Sequence, residues 1–279
     1  MEILFLGTSA ATSVPLAFCR CAACRAGREN GGRDLRRRSS VLIDRQLLID
    51  LGPDYMTSSF DCGFDSAGIR YLLQTHSHSD HFDAGHMITR IAEYATEELL
   101  PMTVAASRQC LEHMSEKLDR EEHGATLMEH SWRRRLRVET VEMEHGRRVK
   151  LGKYEIIPVE SAHDAADGSL MYIIKSGNAA FFYACDTPAF TRRAWELLEN
   201  LDFELNAAAI DQCYGPSARG GGHMCADEVA DCVKRLGCKR VYATHISHEG
   251  TPPYEELEKW TLERGYMVAY DGLRINIDE

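Results

Sequence analysis

Short runs of apolar residues, many of them β-branched, alternate along the chain with stretches in which apolar residues recur every three or four positions. The short runs are typical of buried strands, and the longer spacing is typical of helices that pack one face on a core. We predict strands at residues 3–6, 40–43, 47–50, 71–74, 103–105, 154–159, 170–175, 180–184, 207–211, 240–243 and 267–270.

The same pattern predicts helices at residues 107–120, 189–199, 226–236 and 254–264. In the last two, acidic residues occupy the first turn, where they suit the positive end of the helix dipole, and Gly237 and Gly265 follow as stop signals. Strands cluster early and helices separate the later strands, so helices should cover the faces of the sheets. We therefore expect the α/β class and a layered sandwich.

Composition changes this picture little but restricts the function. With 279 residues and 44% hydrophobic content, the chain can bury one large α/β core or two small ones, and we predict a single domain over residues 1–279. The net charge of −11 argues against a general nucleic-acid-binding protein, because phosphate affinity depends on Lys and Arg. An anionic substrate would have to be held by metal ions or by local arginines.

The expected location follows from what the chain lacks. No window of about 18 apolar residues is present, and the first residues form a strand without the basic segment of a signal peptide. We expect a cytoplasmic protein that binds no membrane. Ten cysteines could indicate disulfides, but in that compartment reduced thiols and metal ligation are favoured.

The residues after the strand at 71–74 carry the strongest chemical signal. The segment His76-Ser77-His78-Ser79-Asp80-His81 places three imidazoles and a carboxylate within six positions. Imidazole nitrogens and carboxylate oxygens are ligands that borderline divalent ions such as zinc prefer. A surface loop that happens to be rich in His is the alternative, but this density at the end of a buried strand favours a metal site.

Three later polar residues also follow predicted strands: His163, Asp186 and His245. Loops at the carboxyl ends of strands converge on a crevice in open α/β folds, and ligands bind there. Each residue taken alone is more typical of an ordinary loop. Together with the six-residue motif they predict one site.

This order of residues resembles the metallo-β-lactamase superfamily over nearly the whole chain. The resemblance implies a four-layer αβ/βα sandwich with two divalent metal ions, zinc or manganese, in the cleft between its halves. It assigns one ion to His76, His78 and His163, the other to Asp80, His81 and His245, and the bridging position to Asp186. We also assign Asp80 to catalysis. His78 stands where flavodiiron oxidoreductases of the superfamily have Glu, which favours hydrolysis over redox chemistry.

A second cluster lies near the N-terminus, where Cys19, Cys21 and Cys24 offer three thiolates within six residues. Such spacing lets a tight turn direct two sulfurs at one ion, although a redox-active or merely buried cysteine cluster is the alternative. The phosphoribosyl 1,2-cyclic phosphate phosphodiesterases of this superfamily have a similar pattern that holds a structural zinc. Their fourth ligand lies three residues after the last active-site His, which corresponds to His248 here.

The same resemblance extends to His223, in a Gly-rich loop before a predicted helix. It matches the histidine proposed in that family to protonate the leaving alkoxide, a role that suits a group with a pKa near neutrality. A surface His in a mobile loop is the alternative. We expect Asp50 to support the metal ligands instead of binding metal itself, because a ligating His usually needs a partner that fixes its tautomer.

Other features depart from the family pattern or fit no site. The loop at 9–15 lacks the family's glycines, and Cys185 replaces a common Ser. The basic run of Arg33, Arg36, Arg37 and Arg38 could grip a phosphate but is more typical of solvated surface. We interpret His113, His123, His130 and His145 as solvated, and Cys62, Cys110, Cys213, Cys225, Cys232 and Cys238 as small core or surface residues.

These observations favour a two-metal hydrolase of small phosphodiesters, cyclic ones included, with a structural zinc. Its partner would be a small phosphorylated substrate, nucleic-acid binding should not be strong, and a homodimer is compatible with the sequence. Three alternatives remain: a nuclease of the tRNA 3′-processing type, a hydrolase of esters, thioesters or lactams, and a noncatalytic or cofactor-biosynthesis relative resembling the pyrroloquinoline quinone pathway member. The nuclease usually has a basic arm that is not evident here, and retention of all seven ligands argues against a noncatalytic protein.

Overall fold

The computed structural model describes residues 1–278, and its strands and helices alternate from end to end. The strands are β1 (Glu2–Gly7), β2 (Ser40–Ile43), β3 (Leu47–Ile49), β4 (Tyr71–Leu73), β5 (Met102–Ala106), β6 (Val138–Glu142), β7 (Val149–Leu151), β8 (Tyr154–Glu160), β9 (Leu170–Ser176), β10 (Ala179–Ala184), β11 (Ala207–Asp211), β12 (Val241–Thr244), β13 (Met267–Val268) and β14 (Arg274–Asn276). The α-helices are α1 (Ala22–Asn30), α2 (Tyr55–Cys62), α3 (Ala84–Ile88), α4 (Arg108–Glu121), α5 (His130–Leu136), α6 (Arg192–Glu199), α7 (Ala226–Leu236) and α8 (Tyr254–Leu262).

The strands form two seven-stranded mixed sheets. The first has the order β14-β1-β2-β3-β4-β5-β6, and the second has the order β13-β12-β11-β10-β9-β8-β7. Strands β3 to β6 run parallel in the first sheet, and β10 to β13 run parallel in the second. With helices packed on the outer faces, this is the αβ/βα sandwich, and the predicted fold class is confirmed.

Three apolar cores hold the layers together, and alternation along single strands builds them. Phe5 lies in the core between the two sheets, whereas its neighbour Leu6 faces the core under α2, α3 and α4. In β10, Phe181 lies between the sheets and Phe182 faces the core under α6, α7 and α8. Side chains of a strand point alternately to its two faces, so burial of both faces makes the strand apolar throughout. That explains why the central strands appear as continuous apolar runs.

Every strand and helix predicted from the apolar pattern is present, with ends shifted by no more than three residues. The helix predicted from residue 189 begins at Arg192, because the Thr191 hydroxyl caps it by accepting a hydrogen bond from the Ala194 N–H at 3.0 Å. The elements that the pattern missed are β6, β7, β14, α1, α2, α3 and α5. Most of them lie at sheet edges or in polar surface segments, where burial imposes little periodicity.

The parallel strands bring their carboxyl ends to one edge of the molecule. The loops after β4, β10, β11 and β12 meet there, and the chain passes very close to itself: a Cβ atom on Gly52 would lie 2.3 Å from the carbonyl oxygen of Asp80. Only glycine permits that approach. Within residues 1–278, no helix is long and apolar enough to cross a membrane.

Candidate metal centre

Four loops at the strand ends deliver the predicted ligands to one buried centre. The segment from His76 to His81 follows β4, His163 follows β8, Asp186 follows β10 and His245 follows β12. Asp186 and His245 both adopt left-handed backbone conformations, each with a φ of 57°. Non-glycine residues rarely adopt this conformation, and where it persists the surrounding structure commonly enforces it for function.

The side chains form two adjoining groups that share one carboxylate. The coordinating atoms of the first group, His76, His78, His163 and Asp186, lie within 4.8 Å of one another. The same limit applies to the second group, Asp80, His81, Asp186 and His245. The structure thus brings together all seven residues named from the sequence, in the two predicted sets, with Asp186 common to both.

The nitrogen atoms that face Asp186 are suited to a cation. The Nε2 atoms of His76, His81 and His245 are buried and, among residues 1–278, have no hydrogen-bond partner with acceptable geometry. They lie 3.1, 3.0 and 3.4 Å from Asp186 Oδ2. Buried polar atoms are nearly always paired, so orphaned nitrogens around one carboxylate fit divalent metal ions.

Asp50 lies behind His81, outside both groups. It is fully buried, and its Oδ2 is 2.8 Å from His81 Nδ1. Its Oδ1 accepts hydrogen bonds from the Thr75 N–H at 2.8 Å and from Gln74 Nε2 at 3.0 Å. This contact fixes the imidazole so that Nε2 faces the centre, which is how a supporting carboxylate orients a metal ligand.

His78 has an equivalent partner that the sequence interpretation missed. Its Nε2 lies 3.1 Å from Asp164 Oδ2, and its Nδ1 lies 3.3 Å from His163 Nε2. The His78 side chain is 44% exposed, so it forms the solvent-facing rim of the first group. Asp164 directly follows His163, and that adjacency was the only available signal.

Asp211 is the second carboxylate that sequence reasoning missed. It is fully buried at the end of β11, and its Oδ2 accepts a hydrogen bond from the Thr187 N–H at 3.0 Å. The same oxygen is 3.0 Å from His223 Nδ1 and 3.4 Å from His245 Nδ1. The strand predicted at 207–211 ends on this residue, so the signal that could have found it is a carboxylate at the carboxyl end of a strand, where Asp186 also lies.

His223 reaches the centre from the Gly-rich loop and is positively charged there. Its Nδ1 is 3.0 Å from Asp186 Oδ1 and 3.0 Å from Asp211 Oδ2. Burial lowers the pKa of His223, but the hydrogen bonds to Asp186 and Asp211 raise it by more, to about 10, which is above the near-neutral value expected from the sequence. With Nδ1 occupied, Nε2 is the nitrogen left to donate a proton.

The carboxylates of Asp80 and Asp186 stay ionised because the neighbouring imidazoles outweigh the effect of burial. Burial would raise the pKa of Asp80, but the imidazoles of His81 and His245 lower it below its ordinary value. Burial also opposes ionisation of Asp186, and the surrounding imidazoles, His245 foremost, lower its pKa well below the usual range. Both groups are therefore anions and can serve as ligands at neutral pH.

The cysteine cluster and His248 also meet. The Sγ atoms of Cys19, Cys21 and Cys24 and a nitrogen of His248 lie within 4.8 Å of one another, with His248 Nδ1 3.4 Å from the sulfurs of Cys19 and Cys21. Three thiols and one imidazole form a donor set typical of structural zinc. We call these four residues the clip, because they join the segment after β1, including the first turn of α1, to the loop after β12.

Three of the four arginines of the basic run are held by hydrogen bonds or ion pairs within the fold, and Arg33 is exposed. Arg36 is 5% exposed and donates hydrogen bonds to Thr8 Oγ1 and to the carbonyl oxygen of Ala269, both at 2.7 Å. Arg37 pairs with Asp61 and Arg38 with Asp54, and the Arg33 guanidinium lies 4.2 Å from the centre of the Tyr270 ring. The prediction of solvated surface was wrong for Arg36, because the buried hydroxyl of Thr8 and the buried carbonyl oxygen of Ala269 need a donor there.

Two of the four histidines interpreted as solvated are held by partners. His113 Nδ1 contacts Asp167 Oδ1, and His145 Nδ1 accepts a hydrogen bond from the Glu160 N–H at 3.0 Å. Both are half-buried, so that interpretation was wrong for them, whereas His123 and His130 are exposed. The cysteines outside the clip are buried except Cys62, which is half-buried.

Known proteins resemble this arrangement in fold. A family model described as a beta-lactamase superfamily domain matches residues 45–246. A diphosphatase of the PhnP family has 23% identity and a TM-score of 0.72, with 98% of this chain and 96% of that chain covered. Zn²⁺-bound PqqB from Methylobacterium extorquens has 18% identity and a TM-score of 0.75, with 99% and 100% covered.

The short form of human tRNase Z is similar to the same degree, with 16% identity, a TM-score of 0.69 and full coverage of both chains. A comparison with curated protein sequences gives no significant match. At these identities, the structural similarities establish a shared fold.

Proposed function

The chain belongs to the beta-lactamase superfamily, and from that premise we propose that it is a two-metal hydrolase of small phosphodiesters, cyclic ones included. The observation that carries the proposal is a pair of ligand groups sharing Asp186, with the charged imidazole of His223 in contact with the same carboxylate. A cationic acid beside a two-metal site suits transfer of a phosphoryl group to water with an alkoxide leaving. The similarity to a PhnP-family diphosphatase and to a tRNase Z supports phosphorus chemistry.

The proposal assigns each side chain a task. His76, His78 and His163 would hold one ion, Asp80, His81 and His245 the other, and Asp186 both. When bound by these residues, two divalent ions would supply a hydroxide nucleophile at neutral pH and would neutralise charge on the non-bridging oxygens of the substrate. Asp50 and Asp164 orient His81 and His78, so the ligands are held in position before substrate arrives.

His223 is proposed to protonate the departing oxygen. Asp211 and Asp186 hold its Nδ1, so Nε2 carries the transferable proton. The side chain is 19% exposed and therefore reachable from the cleft. A small substrate is favoured over a polynucleotide, because Arg36, Arg37 and Arg38 are held by partners in the fold and the net charge is −11.

Turnover of six substrate types with added Mn²⁺ or Zn²⁺ tests this function. We expect faster hydrolysis of alkyl, cyclic and bis(p-nitrophenyl) phosphodiesters than of phosphate monoesters, thioesters or lactams. 5-Phosphoribosyl 1,2-cyclic phosphate is the specific cyclic diester to include. A preference for a thioester or a lactam would overturn the proposal. Activity on simple diesters alone would exclude only the cyclic ribosyl phosphate as a substrate and would leave the reaction type standing.

Replacing His223 by Ala should reduce activity selectively. An alkoxide leaves poorly without a proton, whereas p-nitrophenolate needs little assistance. We expect kcat on an alkyl or cyclic diester to fall by about 10²-fold to 10³-fold, and kcat on bis(p-nitrophenyl) phosphate to fall by less than about tenfold. His130→Ala, at an exposed position, is the control. Equal losses on both substrates would exclude His223 from the acid role.

Replacing Asp211 by Asn should shift the pH profile. The carboxylate raises the pKa of His223, so its removal lowers that pKa. His223 loses its proton as pH rises through its pKa, and kcat on an alkyl diester should then fall. In Asp211→Asn we expect this fall to begin at a pH that is lower by about one unit or more. The profile of the wild type should stay flat to higher pH. An unchanged alkaline limb would contradict the link between Asp211 and His223.

A further inference from the structure

A layer of side chains behind the first ligand group fixes the peptide between His76 and His78. The Asp167 carboxylate is 3% exposed and lies in the loop between β8 and β9. It takes two hydrogen bonds from Ser77: the hydroxyl donates to Oδ1 at 2.9 Å, and the backbone N–H donates to Oδ2. Two bonds from one residue to one carboxylate prevent the Ser77 peptide from rotating.

The orientation of that peptide matters because Ser77 stands between two proposed ligands. The backbone of Ser77 sets the directions in which the His76 and His78 side chains leave the chain. The loop that supplies Asp167 also supplies Asp164, which holds His78 Nε2 at 3.1 Å. One loop therefore controls the motif at two points.

Helix α4 completes the layer with positive charge. His113 Nδ1 contacts Asp167 Oδ1, and Lys117 Nζ donates to the carbonyl oxygen of Ser77. These two residues are one helical turn apart and share a face of α4. The hydrogen bond to Asp167 raises the pKa of His113 above its ordinary value, which favours a cation beside the buried carboxylate. A buried carboxylate is costly without such a partner.

The loop is seated firmly on the start of α4. Ser107, which caps α4, accepts a hydrogen bond from the Cys110 N–H at 3.1 Å and donates to the carbonyl oxygen of Asp167 at 3.1 Å. Gly168 has a φ of 63°, and a Cβ atom there would lie 2.8 Å from Ser107 Oγ. The position of Asp167 is therefore set by the helix.

We propose that Asp167 is a positioning residue for the first metal position, acting through Ser77, and that α4 supplies its counter-charge through His113 and Lys117. Helix α4 carries no proposed ligand, yet it determines how His76 and His78 face Asp186. This inference rests on the proposed function, because it gives Asp167 a task only if those histidines bind a catalytic ion.

Metal affinity tests the inference without using turnover. Asp167→Ala removes both bonds to Ser77, and Ser77→Ala removes only the hydroxyl bond. After Co²⁺ is loaded at the active centre, its visible absorption and its removal by a competing chelator are measured. We expect active-centre affinity to fall by about 10-fold to 100-fold in Asp167→Ala and by a smaller but measurable factor, up to about tenfold, in Ser77→Ala. In Asp167→Ala, kcat should fall more than KM changes.

Controls separate positioning from unfolding. Zinc retained in the clip is an internal standard for the fold, and Asp119→Ala, at an exposed position of the same helix, is the matched variant. If Asp167→Ala loses the clip zinc and fails to fold, the Co²⁺ affinity and absorption of the milder Ser77→Ala variant test the proposal instead. Active-centre affinity and absorption equal to those of the wild type in the folded variants would overturn the proposal. That result is distinct from failure of the proposed function, which would appear as the wrong substrate preference in the metal-loaded wild type.

Discussion

Replacing Asp186 by Asn is expected to lower kcat on bis(p-nitrophenyl) phosphate by roughly 10³-fold or more. The substitution removes the charge shared by both ligand groups, and even a partner behind a ligand typically contributes about 10-fold to 100-fold in affinity or activity. The imidazoles of His76, His81 and His245 now face one anion within 3.4 Å and would face a neutral amide. Steady-state kinetics with saturating Mn²⁺ or Zn²⁺ measure the effect.

Asp202→Asn is the matched control, because that carboxylate is exposed and pairs only with Arg148 among the ion pairs of residues 1–278. Elemental analysis of both variants should show reduced metal at the active centre of Asp186→Asn and no change in the clip. A kcat within about tenfold of the wild type would rule out a bridging role for Asp186.

Replacing Cys21 by Ser is expected to release zinc from the clip and to lower Tm. A serine hydroxyl is a poor zinc ligand at neutral pH, and metal binding to the folded state contributes to its free energy of unfolding. A loss of about 4 kcal/mol would be among the larger effects of a single substitution and corresponds to a fall in Tm of roughly 10 °C for a chain of this size. Calorimetry and elemental analysis on the same preparation measure both.

Cys62→Ser is the control for that variant, because Cys62 is a half-buried thiol outside the clip. It should keep its zinc and most of its Tm. Should Cys21→Ser keep the zinc content and Tm of the wild type, the structural role of the clip would be excluded.

Local sequence patterns were enough to predict the central strands and to single out the polar residues that follow them, and the resemblance to the metallo-β-lactamase superfamily assigned those residues as ligands. The ligands from His76 to His81 are concentrated in one segment, and Asp186 and His245 each directly follow a buried apolar strand. Burial on both faces makes such strands conspicuous, and polar residues at their ends stand out. The edge strands β6 and β7 were missed, because a strand with one exposed face alternates with charged residues and resembles a loop.

The supporting residues could not be predicted in the same way. Asp167 is a single carboxylate whose partners come from other elements, so nothing in its neighbouring sequence marks it, and Asp211 is marked only by its place at the end of a predicted strand. Arg36 shows the same limit: its two hydrogen-bond acceptors, Thr8 and Ala269, are 28 and 233 positions away. Such pairings are properties of the tertiary structure.

The left-handed backbone of the centre places its activity in competition with its stability. Asp50, Asp186 and His245 have φ values of 65°, 57° and 57°, and a non-glycine residue in this conformation costs about 1–2 kcal/mol. Together that is a substantial part of the roughly 5–15 kcal/mol by which a typical domain is stable. Glycine would relieve this backbone strain but would remove the two carboxylates and the imidazole, so the fold keeps strained positions in order to present the side chains on which hydrolysis is proposed to depend.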